Sequence, residues 1–303
     1  MIDSVAQAYA ACETIARREA KNFYYAFRAL PKPKRAAVCA VYAFMRHADD
    51  LADDERLPRE ERLIQSQSWL EDWHRAAAGE STDNPVFIAL RDTQQRFAIS
   101  TELLDQLVQG TMLDLTAPLG GAVTTYQTFD DLYRYCYFVA SVVGLVCIRI
   151  FGYTDARAES LAEQTGIAFQ LTNILRDVRE DAERGRVYLP LDDLKQFHLT
   201  PEQFTARRAD QRVTLEERGL MAMEAGRARE YYRAADKLLP LISPDSRAAL
   251  WVLVTIYRRL LQRIESADYE VFAKRVSVST GEKLWILARG LWMAFRLRLA
   301  QRT

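Results

Sequence analysis

Residues 128–151 and 155–182 carry apolar side chains at helical spacing almost without interruption. No stretch alternates apolar and polar residues as a half-buried strand would. A chain patterned this way builds long helices. Its punctuation agrees, because 12 Gly and 9 Pro in 303 residues are too few for many short strands joined by turns. Further helical patterns run over 4–28, 35–53, 59–78, 86–97, 101–115, 201–238, 244–266 and 280–300. Leu30-Pro31-Lys32-Pro33 separates the first two, since proline cannot continue a helix. Polar, proline-containing breaks follow at 79–85 and 118–121, and 183–200 reads as irregular. No internal repeat or linker divides the chain, so 1–303 is expected to be a single all-α domain.

Charge narrows the function. With 41 acidic and 41 basic residues the formal net charge is zero, which argues against a nucleic-acid partner. Cys12, Cys39, Cys136 and Cys147 are far apart and form no CxxC pair, and only three His occur. Neither a zinc site nor a disulfide framework is expected, and a reduced cytoplasmic setting is the default. The N-terminus is amphipathic with charges throughout, unlike a signal peptide. The longest apolar run, 138–148, is too short to span a bilayer and reads as a buried core helix.

Two segments carry the chemistry. The first is Tyr42-Ala-Phe-Met-Arg46-His47-Ala-Asp49-Asp50-Leu-Ala-Asp53-Asp54; the second is Gln170-Leu-Thr-Asn173-Ile-Leu-Arg176-Asp177-Val-Arg-Glu-Asp181. Asp49 and Asp53 lie about 40° apart around a helix and about 6 Å along it, as do Asp177 and Asp181. Asn173 extends the second stripe by the same step. Like charges at this spacing repel. On an ordinary surface helix, neighbouring Arg and Lys offset that repulsion. A divalent cation is the sharper alternative, since Mg²⁺ takes one or two carboxylates, waters and phosphate oxygens. Two stripes facing each other across a bundle would hold Mg²⁺ against a diphosphate, with Arg46 and Arg176 adding positive charge. Cys39, Tyr42 and Arg46 precede Asp49 on its face, and Gly166 and Gln170 precede Asn173. Small residues at Cys39 and Gly166 would leave room for a ligand slot, although close helix packing explains Gly166 equally well.

The pairing of YAFMRHADDLADD with QLTNILRDVREDAERGRVYLP resembles the squalene/phytoene synthase family. The likeness runs from about Glu19 to Leu284 and takes in AKNFYYAFRALP, YRYCYFVASVVGLV and DYEVFAKRVSVSTGEKL. It resembles most the bacterial members that make squalene precursors for hopanoids. The resemblance implies a single-domain isoprenoid synthase helical bundle with a central cavity, and two aspartate-rich helices at its mouth. It assigns Asp49, Asp53, Asn173, Asp177 and Asp181 to Mg²⁺. Arg46, Arg176, Arg186, Tyr188, Tyr257 and Arg275 match diphosphate-holding positions, with Lys21 and Asn22 near the same mouth and a one-residue ambiguity between Lys274 and Arg275. Phe23, Tyr42, Tyr135, Val139, Val143, Gly144 and Gln170 would meet the prenyl chains. Asp114 is a further polar candidate. One departure is Ala20-Lys21-Asn22, where many relatives carry hydroxyl residues before the first Phe.

The activity implied is Mg²⁺-dependent head-to-head joining of two farnesyl diphosphates through a cyclopropylcarbinyl diphosphate. The product would be squalene if NADPH supplies hydride, or a dehydro product without it; no nicotinamide fingerprint is present. Alternatives are a phytoene synthase joining two geranylgeranyl diphosphates, or a non-catalytic assembly factor, a reading that the intact acidic motifs oppose. Diphosphate leaves with each ionisation. Product release would involve transient contact with a membrane, and the protein would be cytoplasmic or peripheral to it. Simpler expectations stand beside these: Tyr135, Tyr137 and Phe138 as core aromatics, Tyr257 as core unless its hydroxyl reaches the site, His47 on the helix surface, and residues 225–237 as a solvated outer face.

Overall fold

The computed structural model describes residues 4–116, 123–208 and 211–300, apart from the side chains of 21, 22, 124 and 297–300. Helices α1 (Val5–Glu19), α2 (Lys21–Phe27), α3 (Lys32–Ala52), α4 (Arg59–Ala77), α5 (Pro85–Phe97) and α6 (Thr101–Thr116) form the first half. The second half holds α7 (Phe129–Cys136), α8 (Val142–Phe151), α9 (Arg157–Glu183), α10 (Leu191–Gln196), α11 (Pro201–Thr205), α12 (Leu215–Leu238), α13 (Arg247–Ser266) and α14 (Thr280–Ala300). This is the all-α architecture expected from the sequence.

Local chemistry sets the boundaries. Pro33 sits in the first turn of α3 and Pro85 in that of α5, where a missing N–H costs nothing. Capping boxes start α7, through Thr128 and Asp131, and α12, through Thr214 and Glu217. Gly152, at φ 76°, ends α8 in a conformation that disfavours side chains.

Four expected elements differ. The 4–28 pattern breaks at Ala20, where ψ is 0° and α2 turns away to pack on α13. The 128–151 helix is interrupted by a π-helical turn, Tyr137–Ser141. The 201–238 helix splits because Arg207 folds back onto the Gln211 and Arg212 carbonyls and pairs with Glu217, making a tied connection. Within 183–200, strand β2 (Arg186–Val187) pairs in parallel with β1 (Thr124–Thr125), and α10 follows.

Residues 129–151 are long and apolar enough to cross a membrane by composition. They pack instead on α6 and α9, inside the bundle. One face of 225–237 is also buried: Ala225, Ala228, Tyr232, Ala234 and Ala235 are covered, and the Tyr232 hydroxyl meets Thr172 Oγ1 of α9 at 2.9 Å. Only the other face of that run is solvated.

Candidate active site

The first acidic stripe ends α3. Asp49 is part-buried, and Asp53, exposed, caps the helix by donating its N–H to the Asp49 carbonyl at 2.9 Å. Burial, and then the charge of Asp53, push the Asp49 carboxyl up to about 7, with Arg46 partly offsetting them. On α9, burial and then Asp177 push Asp181 up to about 7 as well, against the opposing charge of Arg186. Asp50 turns aside to pair with Arg46.

The stripes converge on Arg186. Its Nη1 lies 3.1 Å from Asp114 Oδ2, and it also interacts with Asp53 of the first stripe and Asp181 of the second. Backbone pairing of Thr124 with Arg186 fixes this segment, reinforced by the Leu191 N–H donating to the Tyr126 carbonyl at 2.8 Å. Tyr188 donates to the same Asp114 carboxylate at 2.9 Å. Asp114 is thus the anchor for both residues that follow the second motif.

The donors are all hard oxygens. Asn173 turns its Nδ2 to Gln170 Oε1 at 3.2 Å and leaves its buried Oδ1 without a partner. A buried acceptor left bare costs about 1–3 kcal/mol unless something binds it. Among the described residues, no three Asp, Glu, His or Cys side chains converge on one point. Carboxylate and amide oxygens are the donors that Mg²⁺ takes, sharing its shell with water and phosphate.

Positive charge surrounds these oxygens. Arg176 pairs with Asp177, and Arg275 reaches the same carboxylate at 2.6 Å while its Nε lies 3.6 Å from Glu180. Arg275, not Lys274, makes these contacts and borders the mouth. Arg17, Arg18, Arg46 and Lys283 join Arg176 and Arg275 around the mouth. The sequence reading missed Arg17, Arg18 and Lys283; the adjacent arginines in the last turn of α1, just before the Ala20 break, were the available signal. Lys21 and Asn22 open α2, but their side chains lie outside the described residues.

Below the mouth lies an apolar hollow of about 240 Å³. Phe23, Tyr42, Val139, Val143, Gly144 and Gln170 line it as expected, and Val38, Phe151, Ala162 and Leu250 lie deeper. Tyr257 stacks on Phe169 at 4.4 Å, and its phenol oxygen faces the Asn173 side-chain amide, so it belongs to the core and also borders the mouth. Gly166 lines the hollow and is also closely packed, since a Cβ there would stand 2.6 Å from Ser141 Cα.

Two wall residues are corrected. Cys39 is fully buried off the hollow, on the side of α3 facing Cys12 and Glu13 of α1, while Val38 takes the lining position. Tyr135 does not line the hollow; it stacks on Tyr188 at 4.8 Å and meets the tilted ring of Tyr126 at 5.4 Å. The cause is the π-turn, whose extra residue shifts the helix by about 100° between Tyr135 and Val143. His47 packs its exposed ring 4.0 Å from that of Trp69, a surface role as expected.

The family model for squalene/phytoene synthase matches residues 16–282. The chain belongs to the squalene/phytoene synthase family. It is 36% identical to a 15-cis-phytoene synthase of Synechococcus elongatus over 93% of this chain and 91% of that one. It is 34% identical to a phytoene synthase of Mycobacterium tuberculosis, over 95% of this chain and 91% of the other. Among solved structures it resembles a dehydrosqualene synthase, with TM-score 0.83 and 31% identity over 94% and 96% of the two chains. The squalene synthase HpnC of Alicyclobacillus acidocaldarius is similar too, with TM-score 0.78 and 29% identity over 88% and 95%. As a squalene/phytoene synthase family member, the chain is a prenyltransferase that joins prenyl diphosphates head to head.

Proposed function

We propose that this synthase joins two geranylgeranyl diphosphates 1′–1 into a cyclopropylcarbinyl diphosphate and then ionises that intermediate to a phytoene-type C40 product. Mg²⁺ would be held by Asp49 and Asp53 on one side and by Asn173, Asp177 and Asp181 on the other. When bound, it neutralises diphosphate and makes it a better leaving group. The bare Asn173 Oδ1, set between a basic mouth and an apolar hollow, is the observation that carries the reading.

The chain's own groups do the rest. Arg46, Arg176, Arg186 and Arg275 provide charge-assisted donors for diphosphate oxygens. The hollow excludes water that would quench an allylic cation, and the faces of Phe23, Phe169 and Tyr257 offer that cation its aromatic surroundings. Tyr188, held by Asp114, borders the leaving-group side.

Chain length is supported by depth and by likeness. Ala162 lies fifteen residues before Asp177 on α9, about 22 Å along the helix, while Val38 lies eleven before Asp49, about 16 Å. Those depths suit a C20 chain on the α9 side. The phytoene synthases at 34–36% identity favour the same substrate. A second reading, two farnesyl diphosphates giving a C30 product, is favoured by the likeness to the dehydrosqualene synthase and to HpnC. Mass spectrometry of products from each diphosphate, with and without NADPH, tests both. C40 material from geranylgeranyl diphosphate with little turnover of farnesyl diphosphate is expected; C30 product alone would reverse the choice.

A further inference from the structure

We infer that the outer face of α14 docks this enzyme on an anionic bilayer. Helix α14 packs its inner face, with Ile286, Leu287 and Ala294 buried, against α13 and α2. Its outer face is unusually apolar for a surface: Leu284, Trp285, Leu291, Trp292 and Phe295 are 42–59% exposed. At 100° per residue these five fall within one arc of about 120°. Scattered exposed apolar residues need no explanation, but a contiguous aromatic stripe does.

The charge beside the stripe selects its occupant. Arg289 and Arg296 lie along one edge of the arc, each over an indole: Arg289 5.6 Å from the Trp285 ring and 5.5 Å from that of Trp251, Arg296 4.8 Å from that of Trp292. After Glu282 the sequence carries five cations and no acid. Glu282 itself is occupied by Arg259 and Arg263. Tryptophan belongs at the headgroup level, and an apolar face edged with arginine is the pattern of a helix lying in the interface of anionic lipid.

The position of the face gives it a use. Ala26 and Leu253 line the hollow and also pack with Val252, Ile256 and Ile286 behind the stripe. One helical layer therefore separates the cavity from the docking face, and Lys283 of α14 borders the mouth. An apolar C30 or C40 product would leave this wall directly into lipid. That use rests on the proposed reaction, whereas the docking itself does not.

Vesicle flotation of the full chain is the test, using phosphatidylcholine vesicles with and without phosphatidylglycerol. The parent should float with the anionic vesicles, and about 0.5 M salt should weaken this. Replacing Trp285→Ser, Trp292→Ser and Phe295→Ser together should lower partitioning by about tenfold or more while detergent-supported turnover persists. The pair Arg289→Gln and Arg296→Gln should reduce binding and its salt sensitivity. Should the triple variant lose helicity by circular dichroism, Trp292→Ser alone serves, with brominated lipid quenching of tryptophan as a second readout. Failure of the parent to bind anionic vesicles, or unchanged binding by the variant, would overturn the inference. So would a dimer in sedimentation velocity that the aromatic substitutions dissolve while vesicles go unbound, which would make the occupant a second copy.

Discussion

Arg275 reaches across 98 residues of sequence to place its Nη2 2.6 Å from the Asp177 carboxylate, where Arg176 already sits. Two guanidiniums on one carboxylate leave positive charge in excess at the mouth, ready for a diphosphate. Hydrogen bonds to charged groups contribute about 1.5–3 kcal/mol. Arg275→Ala should therefore raise KM for the prenyl diphosphate by about tenfold or more. Lys274→Ala, on an exposed neighbour, should leave steady-state kinetics close to the parent's.

The two acidic stripes should act together. Asp49→Asn and Asp181→Asn are each expected to lower kcat by at least about 100-fold, a loss of the size seen when one transition-state charge stabiliser is removed. Thermal melts supply a readout independent of turnover. Mg²⁺ with inorganic diphosphate should raise the parent's Tm, since a ligand at 100 times its Kd adds about 2.7 kcal/mol, and should do much less for either variant. A full Mg²⁺-dependent shift in both variants would remove these residues from the metal site.

Without metal the same carboxyls should cost stability. Both are raised to about 7 from an ordinary 3.8, so between those values the folded chain binds more protons than the unfolded one. Stability from these groups therefore falls as pH rises through that window, and the penalty is complete above about 7. In chelator, Asp49→Asn should melt higher than the parent at about pH 8, by about 2–4 °C for each kcal/mol relieved. The difference should vanish near about pH 4. A variant that melts lower at both pH values would contradict the assignment.

Cys147→Phe would add bulk to the hollow, which Cys147 lines on the segment carrying Val143 and Gly144. The ratio of geranylgeranyl to farnesyl turnover should drop severalfold, read by product mass spectrometry. An unchanged ratio would mean that the prenyl chains do not reach this level.

Removing the Tyr188 hydroxyl tests the Asp114 anchor. Tyr188→Phe loses the 2.9 Å bond to Asp114 and the hydroxyl contact with Tyr135 but keeps the ring stacking on Tyr135. Arg186 remains paired with Asp114, so folding should persist with at most about 1.5 kcal/mol lost. A fall in kcat with KM nearly constant is expected.

Periodicity made the helices legible in the sequence, and carboxylate spacing made both stripes legible, because those features depend on neighbours a few residues apart. What stayed hidden depended on distant partners. Ala20 carries no proline or glycine to announce its break, which arises because α2 packs on α13. Tyr135, Val139 and Val143 read as one regular stripe until the π-turn takes Tyr135 out of phase. Asp114 reads from sequence only as a further polar candidate, since its partners Arg186 and Tyr188 lie more than 70 residues away. Conversely, Tyr257 needed only its hydroxyl located to become a site residue.

The close approach at Gly166 has a mechanical consequence. The backbone of Ser141 lies so near α9 that even Gly166→Ala would bring a carbon within 2.6 Å of Ser141 Cα, forcing backbone movement that costs about 1–3 kcal/mol. The helix is thereby pinned lengthwise against the wall, about 16 Å below Asp177, eleven residues on. Pinned so, α9 is a fixed ruler whose zero mark is the acidic stripe. Evolution or an engineer could shorten or lengthen the measured chain only by exchanging side chains at the far end, never by sliding the scale.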